Sequence, residues 1–135
     1  MSFARSLLRE AENRVETAQR ALKEKKYAYC LRQSQETVEL SLKAALRLKG
    51  IEYPKFHDVS EVLLRSAERF PAWFREHTSV FAEVSRKLAE KREASMYGFE
   101  EMGRPPDKLI DKQAAEAAFD NAREVFNACR KLFRT

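Results

Sequence analysis

Arg92 and Tyr97, in the stretch Lys91-Arg92-Glu93-Ala94-Ser95-Met96-Tyr97-Gly98, have the chemistry to hold an anion. Arg92 stands four residues after Leu88 on a helical stripe that also carries Phe81, Val84, Ser95 and Phe99, where an apolar side chain is expected. A guanidinium there can fork onto a phosphate with charge-assisted hydrogen bonds. Tyr97, five residues on, can stack against a ring or donate from its hydroxyl. Together they outline an anion or phosphodiester site built on a helix. The structural alternative is that Arg92 carries its head to solvent past a buried stem while Tyr97 plugs a gap between helices. His57 precedes Asp58 at a helix start, and no Asp, Cys or Ser stands at a catalytic spacing from it, so a structural hydrogen bond is its plain role.

Other chemistry lacks a local motif. There is no glycine-rich dinucleotide or phosphate loop, no HExxH and no paired Cys/His set. Neither His57 nor His77 has a Glu three residues before it, which removes the di-iron arrangement of helical bundles. Cys30 and Cys129 are far apart and read as reduced, buried small hydrophobes. The reading needs neither a metal nor a cofactor.

The elements that position Arg92 are helices. Phe3, Leu7, Ala11, Val15, Ala18 and Leu22 step by three and four, marking an amphipathic helix over residues 3 to 24 with Ser2 as its cap. Arg14 lies beside that stripe, placed to meet acidic groups on a neighbouring helix. Lys23-Glu24-Lys25-Lys26 makes a polar turn. A central helix follows from about Tyr27 to Lys49, with Leu31, Val38, Leu42, Ala45 and Leu46 inward and Glu39 and Lys43 four apart on its surface. Ser34-Gln35-Glu36-Thr37 interrupts its apolar stripe, and Gly50 ends it in the left-handed conformation.

Pro54 forces a loop, and Asp58 with Glu61 reads as a capping box variant for a short helix through Val62, Leu63 and Ala67. Pro71 suits the first position of a helical turn, with Trp73 and Phe74 covering one end of the bundle. Thr78 or Ser79 caps the long helix that carries Arg92, and Gly103-Arg104-Pro105-Pro106 breaks it. Beyond Asp111, Ala115, Ala118, Ala122, Phe126, Cys129 and Phe133 form a seam that is narrow at its alanines and wide at its phenylalanines.

With 135 residues the chain fits one domain over 1–135. Only three Gly and four Pro, with 35% charged residues, favour a globular, all-α chain. The charge-rich surface also fits a heat-stable protein. A net charge of +5 permits a polyanionic partner without requiring one. No apolar run reaches transmembrane length and no signal peptide opens the chain, so a cytoplasmic protein without membrane contact is expected.

The order of these features resembles the HEPN family (higher eukaryotes and prokaryotes nucleotide-binding), of the small stand-alone archaeal and bacterial type. The resemblance is carried by Glu39-x-x-x-Lys43-Ala44 in the central helix, by Phe56-His57-Asp58 leading into the next helix, by Arg92 to Tyr97 at the place of the family's arginine-to-histidine motif, and by the closing Ala/Phe helix. It implies an up-and-down bundle of four to five helices, a homodimer with the arginine motif lining the cleft, ligand contacts from Arg92, Glu93, Tyr97 and His57, and a nucleotide or RNA as ligand. It also implies a minimal nucleotidyltransferase as partner in a toxin–antitoxin-like pair.

Many members are metal-independent endoribonucleases, and the resemblance would then make Arg92 and Tyr97 the catalytic pair. Yet Tyr97 stands where the family has histidine, and Phe99 stands where some toxin members carry a modifiable tyrosine. A phenol of pKa about 10 is a poor base beside an imidazole of about 6.5, and general acid–base help is worth about 10²–10⁴ in rate. The expectation is therefore a degenerate, binding member, set against two alternatives: an active endoribonuclease toxin and a purely structural interaction module.

Overall fold

A computed structural model describes residues 2–55, 58–103 and 109–134, with the side chains of residues 97–99 and 102 outside that description. The helices are α1 (Phe3–Lys23), α2 (Tyr27–Leu48), α3 (Ser60–Arg65), α4 (Ala72–Arg75), α5 (Thr78–Met102) and α6 (Lys112–Leu132), with a 3₁₀ turn at Ala67–Arg69. Among the described residues there is no strand, and no helix is long and apolar enough to cross a membrane. The four long helices run up, down, up and down, as an all-α bundle requires.

Capping side chains set the first and last long helices. Ser2 Oγ accepts from the Arg5 amide at 3.2 Å, and Asp111 Oδ1 accepts from the Ala114 amide at 2.8 Å. Gly50 adopts φ 69° after α2, where Ile51 N–H donates to Leu46 O and Gly50 N–H to Arg47 O. The same closure ends α1, but Lys25 takes the left-handed position at φ 63° while Lys26 N–H reaches Ala21 O. Three caps differ from the sequence expectation: Val59, not Asp58, takes the N-cap position of α3, without a side-chain cap bond. Pro71 precedes its helical turn in extended geometry (ψ 155°), and Thr78 is already helical, its hydroxyl donating to Arg75 O at 2.8 Å.

The central helix is α2, which packs against α1, α5 and α6. Its contact with α1 is the most extensive in the bundle, and small buried residues recur on both helices. Ala4, Ala11 and Ala18 recur every seven residues on α1 and are buried, as are Ser34 and Ser41, also seven apart, on α2. Small side chains let two backbones approach to the lower end of interhelical distances. Ser34-Gln35-Glu36-Thr37 thus does not interrupt the packing: Ser34 and Thr37 are fully buried, and Thr37 Oγ1 donates to Gln33 O on its own helix at 2.8 Å.

One end of the core is aromatic. Phe74 is fully buried against Phe70 (4.6 Å between centroids), Phe81 (5.8 Å, edge-on) and Trp73 (5.8 Å, edge-on). Trp73 is only half-buried and lies under Lys131 Nζ at 4.3 Å. The Asp58 carboxylate accepts from the Ser60 amide and hydroxyl, and from Ser85 Oγ at 3.0 Å, which ties the start of α3 to α5.

Both cysteines are buried and free. Burial pushes both thiols up from their usual range, with a contact to Ser34 drawing Cys30 partway back. Because only the thiolate attacks, a chromogenic disulfide reagent at pH 8 is expected to titrate no thiol in the native protein. Both should react once it is denatured.

Candidate functional site

Arg92 sits on the buried stripe of α5, between Leu88 and Ser95, both nearly inaccessible, while its own side chain remains 36% exposed. What fills the space above it is the polar run of α2. Arg92 Nη1 donates to Gln35 Oε1 at 2.6 Å and to Glu36 Oε2 at 3.0 Å. From the other side, Arg14 Nε of α1 donates to Glu36 Oε1 at 2.9 Å, and Arg14 also pairs with Glu10 at 3.4 Å. One carboxylate is thus held between guanidiniums from two helices, which leaves the trio with one net positive charge. Gln35 continues the chain through its amide to Glu39 (3.4 Å), which pairs with Lys43 (3.3 Å) as the spacing predicts.

This geometry orients the arginine. Every described partner of Arg92 sits on Nη1, and among the described residues nothing accepts from Nε or Nη2. An arginine fixed by one nitrogen has already lost much of its rotamer freedom, and a second acceptor binds it at a smaller entropic cost.

Beside the guanidinium, α2 and α5 form a shallow notch lined by Ala28, Leu31, Arg32, Ser95 and Met96. Tyr29 and Met96 are each more than one-third exposed, and the Arg32 guanidinium lies 5.3 Å over the Tyr29 ring. Apolar and aromatic surface next to two arginines suits a base and its phosphate together.

Of the other residues expected at the site, Glu93 is exposed and pairs with no described residue, so it does not join the cluster. His57 lies outside the described residues, and Tyr97 belongs to α5 with a side chain outside the description. Sequence reasoning missed Gln35, Glu36, Arg32 and Tyr29. The signal for the first two was present, since four successive polar residues on a central helix require partners if they are buried. Arg14 was expected to meet an acid on a neighbouring helix, and that acid is Glu36. No group of three or more His, Cys, Asp or Glu gathers among the described residues as a metal site would.

A family model described as the HEPN domain matches residues 4–132. No curated protein and no solved structure matches the chain.

Proposed function

The chain belongs to the HEPN domain family, and from that premise we propose that it binds a nucleotide or RNA without cleaving it. The observation that carries this reading is the Arg92 guanidinium, held through Nη1 on Gln35 and Glu36 with its remaining donors open beside the Tyr29–Arg32–Met96 surface. In this reading the phosphate takes Nε and Nη2 of Arg92, and the base rests on the notch. Tyr97 stays in this proposal on the family resemblance alone, its side chain lying outside the described residues. Family membership supports a nucleotide- or RNA-related module in general. The finer part of the proposal is a homodimer that works in the cytoplasm with a minimal nucleotidyltransferase in a toxin–antitoxin-like pair.

Binding is favoured over cleavage by what surrounds Arg92. Both oxygens of Glu36 are already engaged by arginines, and the remaining described polar neighbours are an amide, a hydroxyl, a thioether and a second arginine. A wild-type titration with a fluorescently labelled short single-stranded RNA at 50 mM salt tests the proposal. Saturable binding that weakens steeply with added salt is expected, together with intact RNA after long incubation in EDTA. Absence of binding at low salt would overturn the binding role. Cleavage in EDTA that disappears in Arg92→Ala would replace the non-catalytic reading with the nuclease one.

A further inference from the structure

A second basic surface lies on α1 and α6 and shares no lining residue with the Arg92 notch. The two helices run antiparallel there, since Arg5 lies over the Phe133 ring while Val15 and Leu22 pack in one cluster with Phe119. Between them runs a trough made of two adjoining depressions that share Glu12, Phe126 and Arg130. Its rims carry Arg5, Arg9, Arg123 and Arg130, opposed by Glu12 and Glu16.

Two of these arginines are held over rings of the trough floor: Arg130 is 5.1 Å from the centroid of Phe126, and Arg123 is 5.2 Å from Phe119. Their polar contacts are modest. Arg130 donates to Asn127 Oδ1 at 3.1 Å and stands 4.0 Å from Glu12, and Arg123 stands 3.3 Å from Asp120. Both rings are buried. An arginine held on a ring keeps its charge and presents its other face outward, where a base can stack and a phosphate can bridge the N–H edge.

Charge-complementation of the last turn of α6 explains Arg130 as ordinary helix chemistry. It does not explain Arg123 in mid-helix, nor Arg5 in the first turn of α1, where the helix dipole disfavours cations. Four arginines converge from two helices on one trough, one of them at a position its own helix disfavours.

We infer that the α1/α6 trough binds the phosphodiester backbone of single-stranded RNA, as a second contact separate from the Arg92 notch. The inference deepens the proposed function, because it makes the ligand a polynucleotide rather than a free nucleotide. A mononucleotide can engage Arg92 alone, whereas a longer strand offers further phosphates to the trough as well.

The test compares uridine monophosphate with a twenty-nucleotide single-stranded RNA, titrated into wild type, Arg5→Gln/Arg9→Gln/Arg130→Gln and Glu12→Gln. The triple variant is expected to bind the RNA at least tenfold more weakly and to lower the salt slope by about two, at roughly 0.7 per phosphate contact. Its affinity for the mononucleotide should match wild type. Glu12→Gln removes the acid shared by both depressions and is expected to tighten RNA binding several-fold, a gain that misfolding cannot produce. Unchanged RNA affinity in both variants would overturn the inference. So would a loss in the triple variant that falls equally on the mononucleotide. Failure of the Arg92 reading looks different: the mononucleotide does not bind wild type, while the RNA still responds to the trough variants.

Discussion

Arg92→Ala is expected to weaken binding of a short single-stranded RNA by at least about tenfold, while Glu36→Gln is expected to strengthen it. The loss follows from removing charge-assisted hydrogen bonds, worth about 1.5–3 kcal/mol each. The lower end applies because the Arg92 side chain is 36% exposed and solvent screens it. The gain follows from Glu36, whose carboxylate lies 3.0 Å from the nitrogen that anchors Arg92 and repels any phosphate bound on the guanidinium's far edge. Two unit charges about 6–7 Å apart across a partly solvated site interact by about 1–2 kcal/mol. Removing that repulsion corresponds to a tightening of roughly five- to thirtyfold. Glutamine at position 36 still accepts from one arginine, so the anchor is thinned rather than removed. Fluorescence anisotropy at fixed salt reads both variants, and equal affinities across all three proteins would remove Arg92 from the site.

Phe74→Ala carries the largest expected cost to stability. Phe74 is fully buried among Phe70, Trp73 and Phe81. Phe-to-Ala changes in such cores cost about 3–5 kcal/mol, a large part of the roughly 5–15 kcal/mol that holds a domain together. For a chain of this size the melting temperature should fall by roughly 10–20 °C, followed by circular dichroism at 222 nm. Trp73→Ala should cost much less, because Trp73 is only half-buried. Equal losses would mean that Trp73 bears as much of the aromatic end as Phe74, against the burial argument.

The helices were legible because their apolar residues recur at three and four, and because Ser2, Asp111 and Gly50 mark ends by chemistry that acts locally. The turn at Lys25 left no such mark. It uses the same left-handed closure as Gly50, but lysine carries no sequence signal for it, and the tight α1/α2 packing holds it in place. Arg92 was legible as a charge on an apolar stripe. Its partners were not, because Gln35 and Glu36 approach it across 56 or 57 residues of sequence, and only the antiparallel pairing of α2 and α5 brings them within hydrogen-bond reach. The polar run Ser34–Thr37 looked like an interruption because hydropathy alone cannot tell a solvated face from a buried polar seam. Burial distinguishes them: Ser34 and Thr37 close the small-residue contact between helices, while Gln35 and Glu36 hold the arginine.

The central claim, that Arg92 offers its free donors to a phosphate, is tested most directly by the arginine side-chain Nε–Hε resonances during titration with uridine monophosphate at low salt. The Arg92 signal, assigned by its absence in Arg92→Lys, should shift progressively and saturate, and return to its starting position when salt is raised. An Arg92 signal that stays fixed while the nucleotide binds elsewhere would contradict the account.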